Sequence, residues 1–265
     1  MDIIVVILII LIICYVINKY RVLLNIYYND ILYYYRILNT NIVRNNNLIT
    51  KPINKKNKIL IITFDNRPTL EYVIEHNKNL SQYSQKWKYE YIFYDKCSYN
   101  IYWCKIYMVL DALESNKYDY VMWMDSDTII KNMNTSLDSI VNNYSSDIFV
   151  GTDLNYPIIN AGVFIIKNTL IGKNFLKDCI AYLNPTCVNA DKTLNGLWAL
   201  TCYEQGNMNI LIKLKYSQHT TILPTNLIYN HDECNENVFI MHLCASTVEN
   251  RINCFNKNQN IIRIQ

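Results

Sequence analysis

Residues 118–130 read YDYVMWMDSDTII, an apolar run that ends on two aspartates one residue apart. An extended strand sends alternate side chains to opposite faces, so Asp125 and Asp127 are expected to converge on one spot while Ser126 turns away. Two converging carboxylates repel unless something positive lies between them, and a hard divalent cation with oxygen ligands fills that role. The competing reading is a polar turn after a strand, because Asp and Ser are common turn formers.

The surrounding pattern bears on that choice. KILIITF (58–64) is the continuous apolar, β-branched run of a strand buried on both faces. A helical stretch, TLEYVIEHNKNLSQYSQKW (69–87), leads to a second strand, YEYIFYD (89–95). An amphipathic helix, WCKIYMVLDALES (103–115), then leads to the aspartate strand. Strand, helix, strand, helix, strand predicts a parallel sheet with right-handed crossovers, in which ligands gather at the carboxyl ends of the strands. Asp125 and Asp127 lie at such an end. Further on, DIFVG (147–151), NAGVFIIKNT (160–169), TTILP (220–224) and NVFIMHLC (237–244) read as strands, the last delivering His242. TLIGKNFLKDCIAYL (169–183) and CYEQGNMNILIKLK (202–215) read as helices, the latter despite Gly206.

The chain ahead of this domain has another character. Ile3 to Ile17 is uncharged and apolar, short against the ~20 residues that cross a bilayer. Val22 to Leu24 extend it if Lys19 and Arg21 snorkel. With no basic leader and no small-residue cleavage site, an anchor is favoured over a signal peptide or a core helix. The division expected is therefore an anchor over 1–24, a Tyr- and Asn-rich basic stem over 25–57, and one domain over 58–265. Up to Lys58 there are eight Lys/Arg against Asp2 and Asp30, leaving 17 basic and 20 acidic residues beyond. A domain without basic excess argues against nucleic acid as a partner. Nine cysteines occur without a C-x-x-C pair, which speaks against zinc. Bridges and buried thiols both remain open for them.

The order of features from Lys58 onward resembles glycosyltransferase family 34, the galactosyl-, mannosyl- and xylosyltransferases of fungal and plant Golgi membranes. The matching pieces are WCK (103–105), MWMDSDTII (122–130), NAGVFIIKN (160–168), YEQ (203–205) and IMHLCA (240–245). The resemblance implies an α/β GT-A fold, a mixed, mostly parallel sheet with flanking helices. It also implies a nucleotide-sugar donor, a glycan or glycoprotein acceptor, manganese or another divalent cation, and retention of anomeric configuration. On this likeness Asp125, Asp127 and His242 are the metal ligands. Asp65, Lys105, Asp125, Asn160 and Gly162 face the donor. Glu204 and Gln205 lie at the reacting carbon as positioning and charge-stabilising groups.

The residues themselves leave other roles open. Lys105 approaches the diphosphate or solvates a helix face, and Asp65 approaches the nucleotide or caps a helix. Asn160 and Gly162 contact the sugar or merely open a strand, Gly leaving room for close backbone approach. His242 is a ligand or an ordinary polar residue, and Trp103 reads as core. Two departures stand out. Ala245 occupies the place of a glycine usual in the family, and no cation follows His242 before Arg251. A non-catalytic glycan-binding or assembly subunit is therefore an alternative. A haloacid-dehalogenase-type phosphohydrolase is another, although its D-x-D belongs on the opening strand. For the membrane orientation, glycan acceptors point to the Golgi lumen, while Lys19, Arg21 and the basic stem favour the cytoplasm.

Overall fold

The computed structural model describes residues 3–39, 55–153, 158–235 and 237–262. In chain order its elements are α1 (Ile3–Asn39), β1 (Ile59–Phe64), α2 (Glu71–Trp87), β2 (Glu90–Tyr94), α3 (Cys104–Glu114), β3 (Tyr120–Met124) and β4 (Thr128–Ile130). There follow α4 (Leu137–Val141), β5 (Ile148–Thr152), β6 (Ile159–Lys167), α5 (Leu170–Tyr182), α6 (Glu204–Leu211), β7 (Thr220–Ile222), β8 (Ile228–Asn230), β9 (Ile240–His242) and α7 (Val248–Ile262). The central sheet runs β2-β1-β3-β6-β5-β7. Strands β1 to β3 are parallel, as their pattern predicts, while β6 is antiparallel to both its neighbours. The sheet is thus mixed and mostly parallel. A second sheet, β4-β9-β8, stands at the carboxyl ends of the first.

Period-two burial explains the layers. Leu60, Ile62, Val121 and Trp123 pack on one face with α3, α5 and α6. Ile59, Ile61, Tyr120 and Met122 pack on the other with α2 and α4. A strand whose two faces are both covered must be apolar throughout, which is why these segments do not alternate in sequence. The small sheet has its own core, in which Ile129, Met241 and Leu243 meet Tyr72 and Val73 of α2 and Phe255 of α7.

Helix α1 runs unbroken through the start of the expected stem, and the later stem residues 40–54 lie outside the described residues. Val5–Leu32 is long and apolar enough to cross a membrane. Six cysteines pair as Cys97–Cys104, Cys187–Cys202 and Cys234–Cys254. Cys179 is a buried thiol, so both readings of the cysteines hold for different members.

Candidate active site

Trp123 and Asp125 share one side of the chain as it leaves β3, and the indole Nε1–H donates to Asp125 Oδ1 at 2.6 Å. The convergence of Asp125 and Asp127 differs in origin from the extended geometry expected. Between β3 and β4 the chain makes a tight turn, in which Thr128 donates to Asp125 O through N–H (3.1 Å) and Oγ1 (2.7 Å). The turn passes the chain from the large sheet to the small one. Ser126, expected to turn away, also lines the cleft, and its hydroxyl donates to Asp65 Oδ2 at 2.6 Å.

His242 arrives on β9 directly opposite Thr128 of β4. Its Nε2 lies 3.2 Å from Asp127 Oδ1 and 4.0 Å from Asp125 Oδ2. One ligand atom from each of the three lies within 4.8 Å of the others. The tautomer follows from the neighbours. Asn230 Nδ2 donates to Thr152 O at 2.8 Å, which turns its Oδ1 towards His242 Nδ1 at 2.9 Å. A proton therefore sits on Nδ1, which leaves Nε2 as the atom that faces the carboxylates. Two carboxylates and an imidazole so aimed suit a divalent ion such as manganese or zinc. Gly162 makes the arrangement possible, because a Cβ there would lie 2.0 Å from His242 Cε1. The room this glycine leaves is taken by the imidazole.

Each aspartate also has a cation. Lys105, 5 % exposed, lies 2.9 Å from Asp125 Oδ1 and 3.2 Å from Glu204 Oε1, and donates to Ala161 O at 3.2 Å. Helix-face solvation is excluded for it. Burial opposes its charge, but Asp125 and Glu204 outweigh burial and raise the ammonium well above its ordinary value. Burial likewise raises the Glu204 carboxyl, with Lys105 opposing. Arg251 Nη2 sits 2.7 Å from Asp127 Oδ2, with the guanidinium 5.2 Å from the Tyr72 ring centre. Burial works against the Asp127 carboxylate too, but His242 and Arg251 hold it down at about 2.

Gln205 and Asn209 stand one turn apart on α6 and grip the backbone of β6. Gln205 Oε1 accepts from Ala161 N–H (3.0 Å) and Asn209 Oδ1 from Ile159 N–H (2.8 Å). The Gln205 carbonyl is thereby spent on the backbone, and its buried Nε2 has no partner. Glu204 Oε2 is likewise buried and unpartnered. Asn160 accepts from Gly162 N–H at 2.8 Å. Asp65 does not cap α2. It binds Arg67 through its backbone N–H, Nε and Nη2, and although burial opposes its charge, the Arg67 and Ser126 bonds lower its carboxyl. Trp103 is core, its Nε1 donating to Cys202 O at 3.0 Å.

A cleft of about 690 Å³ gathers every predicted site residue: Asp65, Lys105, Asp125, Asp127, Asn160, Gly162, Glu204, Gln205 and His242 all line it. It also takes in Arg67, Trp123 and Arg251. Sequence reading missed the roles of Arg67, Trp123 and Asn230. Only Trp123 carried a signal, its i, i+2 relation to Asp125. Ala245 holds φ = 56°, the left-handed region where glycine is at ease. The backbone there takes a conformation that would suit a glycine better than the alanine the chain carries.

Residues 54–143 match the model of the galactosyl transferase GMA12/MNN10 family. Over that segment the chain is similar to the family. A glycosyltransferase involved in the glycosylation of the major capsid of PBCV-1 shares the fold, with a TM-score of 0.58 at 14% identity over 76% of this chain and 99% of that one. The galactosyltransferase LgtC, solved with donor and acceptor sugar analogs, aligns over 76% of this chain and 95% of its own at 12% identity and TM-score 0.42. A search of curated proteins found no match. The GT-A architecture expected from the GMA12/MNN10 likeness is the one observed, with the D-x-D turn after the third strand of the sheet. A phosphohydrolase with its motif on the opening strand does not fit.

Proposed function

We propose that the chain is a membrane-anchored, metal-dependent glycosyltransferase that moves a hexose or pentose from a nucleotide sugar to a glycan acceptor with retention. The observation that carries this reading is Nε2 of His242 aimed at Asp125 and Asp127 inside the cleft. Those three residues would hold the ion. When bound, the ion offsets the charge of the departing diphosphate. Arg251 and Lys105 add positive charge from the two flanks, and Arg251 supplies the cation that the sequence lacks nearer to His242. Asp65 and Arg67 stand beside the D-x-D turn, tied to it through Ser126, where the nucleotide would lie, and Asn160 and Gly162 border the donor sugar. Gln205 presents only its amide N–H groups, so it orients the sugar and does not attack it. Glu204, paired with Lys105, stabilises charge at the same carbon.

We further propose that the domain works in an oxidising, Golgi-type lumen. Three disulfides persist in such compartments and are rare in the cytosol, a stronger argument than Lys19 and Arg21 offer for the cytoplasm. Protease treatment of sealed vesicles tests it, since a domain degraded without detergent faces the cytoplasm and sinks the assignment. For the chemistry, calorimetry of the full-length chain with UDP and GDP, with and without manganese, is the direct test. One nucleotide is expected to bind only with metal, and Asp125→Ala and Asp127→Ala should each abolish that binding. Unchanged binding in both variants overturns the site. Nucleotide sugars should be hydrolysed slowly in its presence, and metal-dependent binding without any hydrolysis would mark a non-catalytic subunit.

A further inference from the structure

Helix α1 does more than precede the domain. Its early residues are exposed, but Val22 and Ile26 pack with Leu183, Cys187, Cys202 and Tyr203. Asp30 is buried and accepts from Thr201 through N–H (3.3 Å) and Oγ1 (2.7 Å). The loop it meets is the one that walls the cleft. A Cβ on Gly196 would lie 3.1 Å from Ile26 Cγ2, and the next residues, Leu197 and Trp198, are 49% and 60% exposed. Trp198 and Ala199 line the cleft. One segment therefore touches the apolar helix, exposes a Leu–Trp pair and borders the site.

The level of this contact follows from helix geometry. A bilayer core takes ~20 helical residues, which counted from Val5 ends near Leu24. Ile26 lies two residues on, ~3 Å further at 1.5 Å per residue, within the headgroup layer. Tyr27 and Tyr28 of α1 are exposed at the same level. Trp and Tyr settle at this depth, where the ring leaves water and its polar edge stays wet.

We infer that the cleft wall bearing Leu197 and Trp198 rests on the lipid surface, with that pair inserted among the headgroups. The inference rests on α1 being the membrane anchor. The full-length chain is reconstituted into phosphatidylcholine vesicles with or without dibrominated acyl chains, and its tryptophan emission compared. Trp103 and Trp123 are buried and Trp87 is half-buried, so Trp198 is the exposed reporter among four tryptophans. Brominated lipid should remove about the share of one tryptophan in four, and Trp198→Phe should abolish that loss. Leu197→Asp, which keeps the reporter, should weaken the quenching while the chain still floats with the vesicles. An anchored chain whose Trp198 is not quenched overturns the inference, as does quenching that survives in Trp198→Phe. Shielding of Trp198 from iodide by a soluble oligosaccharide, with no quenching by lipid, would give the pair to the acceptor instead. A chain that fails to float with vesicles refutes the anchor itself, and the inference falls with it.

Discussion

Asp125 and Asp127 are separated by one residue and are neutralised in opposite ways. Asp125 meets Lys105, a buried cation on a core helix that is shared with buried Glu204. Asp127 meets Arg251, which reaches in from α7, the last of the described helices, across the turn at Ala245. The first arm is built into the sheet's own core, whereas the second is assembled from the end of the chain. Removing a buried cation strands two carboxylates in a poor solvent for charge. Removing a peripheral one leaves a carboxylate that His242 still faces. The same motif thus has one side that stability depends on and one that is free to serve ligands.

The largest contrast should come from Lys105→Ala. Loss of one partner from a buried ion cluster costs about 3–5 kcal/mol, and denaturant unfolding should report it. A loss near 1 kcal/mol would mean that the Asp125 arm is no more structural than the other. Gly162→Ala is the next step down in stability, about 1–3 kcal/mol for overpacking a buried contact, and it acts on metal as well. The new Cβ collides with the imidazole, so manganese affinity, read by electron paramagnetic resonance, should fall by roughly 10- to 100-fold, the range found when a ligand's support is lost. Retained affinity would show that His242 is not a ligand.

Arg251→Ala should cost stability only about 1–2 kcal/mol, in the range of one charged hydrogen bond, while metal-dependent nucleotide affinity falls markedly. If its stability cost matched that of Lys105→Ala, the two arms would be equivalent. The smallest effect belongs to Ala245→Gly. Relief of the left-handed backbone and the added freedom of the unfolded chain nearly cancel, leaving a gain below about 1 kcal/mol. A clear loss of stability would mean that the alanine methyl packs against something that α7 needs.

The two arms also differ in how far they could be read in advance. The βαβαβ run from Ile59 to Met124 announces itself because buried strands are uniformly apolar and the helices between them are periodic. Lys105 lies within that run and Asp125 directly follows it, so the placement of Asp125 at a strand end was legible, while its pairing with Lys105 was not. Strands β4 and β8 are three residues each, too short for any periodicity, and α7 has a weakly apolar sequence. Asn230 therefore gave no sign that it orients His242. The reversal of β6 was hidden for another reason: a strand covered on both faces reads the same in either direction.

The positions of the disulfides have a practical side. Cys104 adjoins Lys105, Cys202 precedes Glu204 by two residues, and Cys254 follows Arg251 by three. No strand of the central sheet carries a bonded cysteine. Chain made in a reducing bacterial cytosol would still collapse around the sheet and give a respectable circular-dichroism spectrum. The three segments that present its charges would be untethered, and the preparation would look folded and assay as dead. For this molecule the choice of expression host is part of the enzymology, and a free-thiol count should precede any report of inactivity.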